Sequence, residues 1–152
     1  MHTLSIPTPV GLVLARAGPR GIRRVELRLL EEGEGRPNRE LLELARRIER
    51  YFDGQRETFC DLPLDYEGLE ARRVSVYEAV RRIPVGQTRS YAEMAYLLGL
   101  TPRAVGAALR VNPFFLVVPA QRVIHADGRL GGFAGREGVK EWLLRFEGAW
   151  PG

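Results

Sequence analysis

Cysteine is almost missing from this 152-residue chain, where Cys60 stands alone. One thiol makes neither an internal disulfide nor a thiolate metal cluster. Cys60 sits in Thr58-Phe59-Cys60-Asp61-Leu62-Pro63, a strand-like run with no histidine nearby in sequence, so an inert, half-buried thiol is expected. Histidine is nearly as scarce. His2 and His125 are too few and too scattered for a zinc site, and no metal or other cofactor is expected. No stretch approaches the roughly 20 continuous apolar residues of a membrane span, and Met1-His2-Thr3-Leu4 lacks the basic-then-apolar layout of a secretory signal. A cytoplasmic location without membrane association is the expectation. Lysine is also rare, since Lys140 is the only one among 23 basic residues.

What is present is a composition 45% hydrophobic, enough to bury one core or two small ones. The formal charge is +4 and arginine supplies nearly all of the positive side. A planar guanidinium forks onto phosphate and stacks on bases, which suits a nucleic-acid partner, although a GC-rich genome is the first explanation of the arginine bias itself and the charge only permits such a partner.

Short strands fill the first quarter: Thr3 to Pro7, Gly11 to Ala17 and Gly21 to Leu29, with a hairpin turn at 18–21. Glu31 to Asn38 reads as a polar loop. From Pro37 the apolar positions Leu41, Leu44, Ala45, Ile48 and Phe52 recur at helical spacing until Asp53-Gly54. A linker with Pro63, Asp65 and Gly68 sets a boundary near residue 70. Val74, Val76, Tyr77 and Val80 then mark an amphipathic helix stopped by Pro84 and Gly86. Ser90 and Glu93 form a capping box for a short helix closing at Gly99, and Thr101-Pro102 starts another that ends at Asn112-Pro113. Two short capped helices joined by a glycine turn resemble a helix-turn-helix. The apolar run 114–118 and a turn at Asp127-Gly128 follow, and a last helix carries Val139, Trp142, Leu143 and Phe146 on one face. The fold class is α+β: a small sheet-plus-helix domain over 1–70, then a mostly helical, winged helix-turn-helix-like domain over 71–152.

Gly106 interrupts the helix that starts at Pro102, where glycine costs about 1 kcal/mol relative to alanine. Either the helix packs tightly against a neighbour there, or it closely approaches a nucleic-acid backbone. Arg103 is equally open, as a solvated surface residue or a DNA contact.

Five spaced motifs occur in one order: Ile83-Pro84-Val85-Gly86 with Ser90-Tyr91-Ala92-Glu93; Arg103-Ala104-Val105-Gly106 with Asn112-Pro113; Pro119-x-x-Arg122-Val123; Gly131-Gly132-Phe133-Ala134-Gly135; and Lys140-Glu141-Trp142-Leu143-Leu144. From about residue 72 to 148 the chain therefore resembles the C-terminal domain of the O6-alkylguanine-DNA alkyltransferase family, and the first unit matches in outline. The family's signature is Pro-Cys-His-Arg-Val, whose cysteine accepts the alkyl group with help from the histidine. Here it reads Pro119-Ala120-Gln121-Arg122-Val123. Alanine has no nucleophilic atom and glutamine exchanges no proton near neutral pH. The resemblance thus implies an alkyltransferase-like protein that is not an enzyme, with Glu147, the histidine's partner in the family, left in a structural role.

The same resemblance carries over the binding residues. Tyr91 matches the tyrosine that helps rotate the nucleotide, Arg103 the arginine that fills the vacated stack, and Asn112 the asparagine shaping the turn beneath the pocket. Phe133, Ala134 and Gly135 match the pocket loop, with phenylalanine where some members have tyrosine. With Gly106, Ala120, Gln121 and Arg122 they form the expected DNA- and lesion-binding set. The implied partners are double-stranded DNA containing O6-alkylguanine and a UvrA-type damage sensor of nucleotide excision repair, with the chain itself a monomer. Two alternatives stand beside this: an active methylated-DNA-cysteine methyltransferase whose acceptor was exchanged for Ala120, against which Gln121 argues as a second change, and a helix-turn-helix regulator, for which the pocket residues would be idle.

Overall fold

The computed structural model describes residues 1–28 and 35–150, so Leu29 and the first half of the polar loop expected over 31–38 lie outside the described residues. The chain divides into two units, one of residues 1–68 with 113–117 and one of residues 69–112 with 118–152.

In the first unit three strands, β1 (His2–Thr8), β2 (Gly11–Gly18) and β3 (Gly21–Arg28), pair antiparallel in sequence order. Alternation of faces is interrupted in the middle of the sheet, where Leu14 is buried between Val13 and Ala15 and the pairing of β2 with β3 shifts register between Arg16 and Ala17. Val13, Ala15 and Ala17 of β2 and Ile22, Val25 and Leu27 of β3 are buried, and helix α1 (Arg39–Phe52) covers the sheet with Leu41, Leu44, Ile48 and Tyr51. Asn38 starts that helix by accepting a hydrogen bond from the Leu41 amide at 3.0 Å. The segment 113–117 joins this unit through β3: the Val25 amide donates to Pro113 O at 2.8 Å, and the Phe115 amide to Val25 O at 2.9 Å. Phe114 and Leu116 are buried.

One expectation fails in this unit. Thr58–Pro63 is a turn and not a strand, and Cys60 is exposed. The reason is local: Phe59 takes a left-handed φ of +56° and buries its own ring, which turns the next side chain outward.

The second unit is mostly helical: α2 (Ala71–Arg81), α3 (Tyr91–Leu98), α4 (Pro102–Arg110) and α5 (Glu137–Glu147). A two-residue parallel pair, β4 (Arg89–Ser90) with β5 (Val123–Ile124), accompanies them. The capping box forms, with Ser90 Oγ accepting from the Glu93 amide at 2.9 Å and Glu93 Oε1 from the Ser90 amide at 3.2 Å. Gly99 ends α3 at φ +68°, and Thr101 Oγ1 caps α4 through the Ala104 amide at 3.1 Å. Tyr77 of α2 locks onto α4 by donating its hydroxyl to Ala108 O at 2.7 Å.

Helix α5 corrects a second expectation. Lys140, Leu143, Leu144 and Glu147 are its buried residues, whereas Trp142 and Phe146 are exposed and stack on each other with ring centroids 5.1 Å apart. The true stripe has the same i, i+3, i+4, i+7 spacing, but two of its members are charged and find partners inside. Among the described residues no helix is long and apolar enough to cross a membrane.

Candidate functional site

Helix α4 has one buried face, Val105, Ala108 and Leu109, and one open face on which Arg103, Gly106, Ala107 and Arg110 follow at i, i+3, i+4 and i+7. Charge agrees with this polarity. The second unit carries twelve Lys and Arg against seven Asp and Glu, while the first carries eleven against twelve. The chain's excess positive charge therefore resides on the unit that exposes this helix.

The open face of α4 forms one wall of a cavity of about 490 Å³. Tyr91 comes from the first turn of α3, His125 from the turn after β5, Gly132, Ala134 and Gly135 from the loop before α5, and Glu137 from its start. Five of the ten residues nominated from sequence line it together: Tyr91, Arg103, Gly106, Ala134 and Gly135. None of the lining residues carries a thiol.

Local geometry holds this lining in place. A side chain on Gly131 would put its Cβ 2.7 Å from the Tyr91 hydroxyl and 3.3 Å from His125 Nε2, and the residue has φ +78°, so only glycine lets the two polar tips converge there. Ala134 also sits in the left-handed region, at φ +50°, which costs an alanine on the order of 1 kcal/mol. Gly106 is different. A Cβ there would meet only Tyr91 Cε1 at 3.9 Å, an ordinary contact, so helix packing does not require the glycine.

Behind Tyr91 lies Lys140, wholly buried, whose Nζ donates to Val123 O at 2.8 Å and to the Tyr91 oxygen at 3.4 Å. Loss of hydration pulls its pKa down to about 8, against a small upward pull from Glu137. Burial pushes Tyr91 the other way, keeping the phenol neutral. Because the ammonium donates to the phenol oxygen, the phenol proton is left for an acceptor inside the cavity.

The other nominated residues stand outside the lining. Ala120, Gln121 and Arg122 form a buried 3-10 turn. Arg122 Nε and Nη2 donate to Glu147 at 2.8 and 3.1 Å and its Nη1 to Ile83 O at 2.7 Å, while Gln121 Nε2 donates to Glu147 Oε2 at 2.9 Å. The Glu147 carboxylate is thus met by three donors. Gln121 Oε1 has no hydrogen-bond partner among the described residues. This turn holds a methyl group and an amide, which together offer neither a nucleophile nor a proton relay. Asn112 Nδ2 donates to Val118 O at 3.1 Å, and Phe133 is half-buried with its carbonyl accepting from the Arg136 amide at 2.9 Å.

Sequence reasoning missed Arg110, His125, Glu137 and Lys140. Arg110 was readable, being two helical turns from Arg103. Lys140 was noted for its rarity and as part of the motif of residues 140–144 but given no role, and His125 was weighed as a metal ligand alone.

Residues 71–149 match the family described as 6-O-methylguanine DNA methyltransferase, DNA binding domain. The chain is 54% identical over 144 residues to the DNA base-flipping protein of Thermus thermophilus, covering 95% of this chain and 98% of that one. It is 36% identical over 150 residues to the methylated-DNA–protein-cysteine methyltransferase of Methanosarcina barkeri, covering 93% and 94%. Its fold superposes with a TM-score of 0.80 and 29% identity on the Mycobacterium tuberculosis OGT in complex with DNA, over 97% of this chain and 93% of that one.

Proposed function

The chain belongs to the 6-O-methylguanine DNA methyltransferase family, and from that membership we propose that it binds duplex DNA, holds an O6-alkylated guanine outside the helix, and transfers nothing. Residues 71–152 carry the contacts as a helix-turn-helix-like module, with α4 as the inserted helix. Arg103 fills the space the base leaves, and Tyr91 offers its phenol proton to the extruded nucleotide. Extrusion costs a few kcal/mol, which a stack filler and a lined cavity together offset. The loop of Phe133, Ala134 and Gly135 walls the cavity, Gly106 lets the helix backbone approach the DNA closely, and Asn112 and Arg122 hold the turns beneath.

The observation that carries this reading is a contrast between the cavity and the buried turn of residues 120–122. Five nominated binding residues share a cavity, while the acceptor position holds the methyl of Ala120 and its neighbour is an amide. An alkylated base that cannot be repaired must be handed on, so the complex serves as a flag, read in the cytoplasm by a UvrA-type damage sensor of nucleotide excision repair, with one monomer per lesion.

The test is equilibrium binding to two duplexes that differ only by a methyl group on one guanine O6, with that methyl radiolabelled. Tighter binding of the methylated duplex and no label on the protein are expected. Equal affinity for both duplexes, or stoichiometric label on the protein, refutes the reading.

A further inference from the structure

Helix α3 carries Tyr91 on the face that also buries Met94 and Ala95. Its opposite face leaves Tyr96 92% exposed and Leu97 70% exposed. Beside them runs a groove of about 740 Å³ between α2 and α3, lined in part by Ala79, Ile83, Met94 and Leu98. An aromatic and an aliphatic side chain adjoining an apolar groove are what a protein anchor fills, whereas DNA-contacting surfaces are polar and strongly basic. The charges on the rim are unevenly matched. Glu78 pairs with Arg81 Nη1 at 3.2 Å, and Glu93 is held in the α3 cap. Arg82 and Arg89 meet no carboxylate among the described residues, and Arg89 donates only to Thr88 O and Gln87 Oε1.

We infer that the α2–α3 groove with Tyr96 and Leu97 docks a short amphipathic segment of a partner protein, one that seats an apolar side chain in the groove and reaches Arg82 and Arg89 with carboxylates. The inference rests on the reading of the chain as a flag, which requires a surface other than the open face of α4. Two guanidiniums without anionic partners at the edge of an apolar slot favour such an acidic, aliphatic segment.

The probe is a fluorescent helical peptide of leucines at i, i+3 and i+4 flanked by glutamates, compared by anisotropy with the same peptide carrying lysines. Binding to the full chain on methylated duplex is expected to favour the glutamate peptide by about tenfold and to fall by about tenfold in Arg82→Glu and in Tyr96→Ala. These positions are exposed at the surface, and both variants should keep wild-type affinity for the methylated duplex. Equal binding of the two peptides, binding of neither, or binding unchanged in both variants overturns the inference. Loss of duplex affinity in Arg82→Glu overturns it too, by assigning the surface to DNA. Failure of wild-type protein to prefer the methylated duplex refutes the flag reading instead, and is scored separately.

Discussion

Ala120→Cys with Gln121→His should transfer methyl faster at neutral pH than Ala120→Cys alone, and the expected gain of the second substitution can be worked out. Ala120→Cys puts a thiol in a turn where the present side chain is almost fully buried and no imidazole is near in sequence except His125. A free thiol of pKa about 8.5 is only about 3% ionised at pH 7, and burial pushes that fraction lower. Gln121→His would replace an amide whose Nε2 already donates to Glu147 Oε2 at 2.9 Å, so an imidazole N–H inherits a ready carboxylate partner. If the resulting His–Glu pair lowers the thiol by about 2 units, the thiolate population at pH 7 rises about 25-fold. A less basic thiolate is a weaker nucleophile, with a Brønsted slope of about 0.4–0.5, which removes most of that gain and leaves roughly a threefold acceleration. The assay is single-turnover transfer of tritiated methyl from duplex to protein at several pH values. Ala120→Cys alone should climb nearly tenfold per pH unit between pH 7 and about 8.5, whereas the double variant should be faster at pH 7 and nearly flat above it. Equal rates with superimposable pH profiles would refute the reasoning, because Gln121 would then be no part of what the site lacks.

Three further outcomes are expected. Arg103→Ala should bring the affinities for alkylated and unmodified duplex to within about twofold of each other, while Arg129→Ala, whose guanidinium is exposed and paired with Asp127, should leave their ratio intact; titration of both duplexes decides it. Gly106→Ala should stabilise α4 by about 1 kcal/mol in urea denaturation and yet weaken binding to both duplexes; unchanged DNA affinity would mean that the helix approaches no backbone there. Lys140 should make the fold more stable as pH rises: its folded pKa of about 8 lies below the unfolded value, so between them the unfolded chain holds the extra proton. Unfolding free energies from urea denaturation at pH 7.5 and 9.5 should differ by up to about 2 kcal/mol in favour of the higher pH, and Lys140→Met should remove that slope.

Local signals proved readable wherever the determinant is local. The Ser90–Glu93 box and the Thr101-Pro102 start each depend on residues a few positions apart, and the structure follows them closely. What sequence could not supply was the identity of a buried partner. Lys140 and Glu147 look like solvent-facing charges until Val123 O and the Arg122 guanidinium are found beside them, and only then does the aromatic pair Trp142 and Phe146 move outward. Cys60 was misread for a related reason, since the left-handed backbone at Phe59 carries no signature in the residue itself. The site was half legible: the residues on α3, α4 and the glycine loop were nominated through the family resemblance that their motifs carry, but His125 and Lys140 reach Tyr91 through the folded chain alone.

The return of residues 113–117 to the first unit has a genetic consequence. A gene fragment beginning at codon 71 would encode all of α2 to α5, yet it would carry Pro113 and Phe115 away from the Val25 backbone that pairs with them, leaving Phe114 and Leu116 without the unit they are buried in. Cut at residue 71, the second unit would thus keep a five-residue segment whose backbone partner and apolar cover had been left behind.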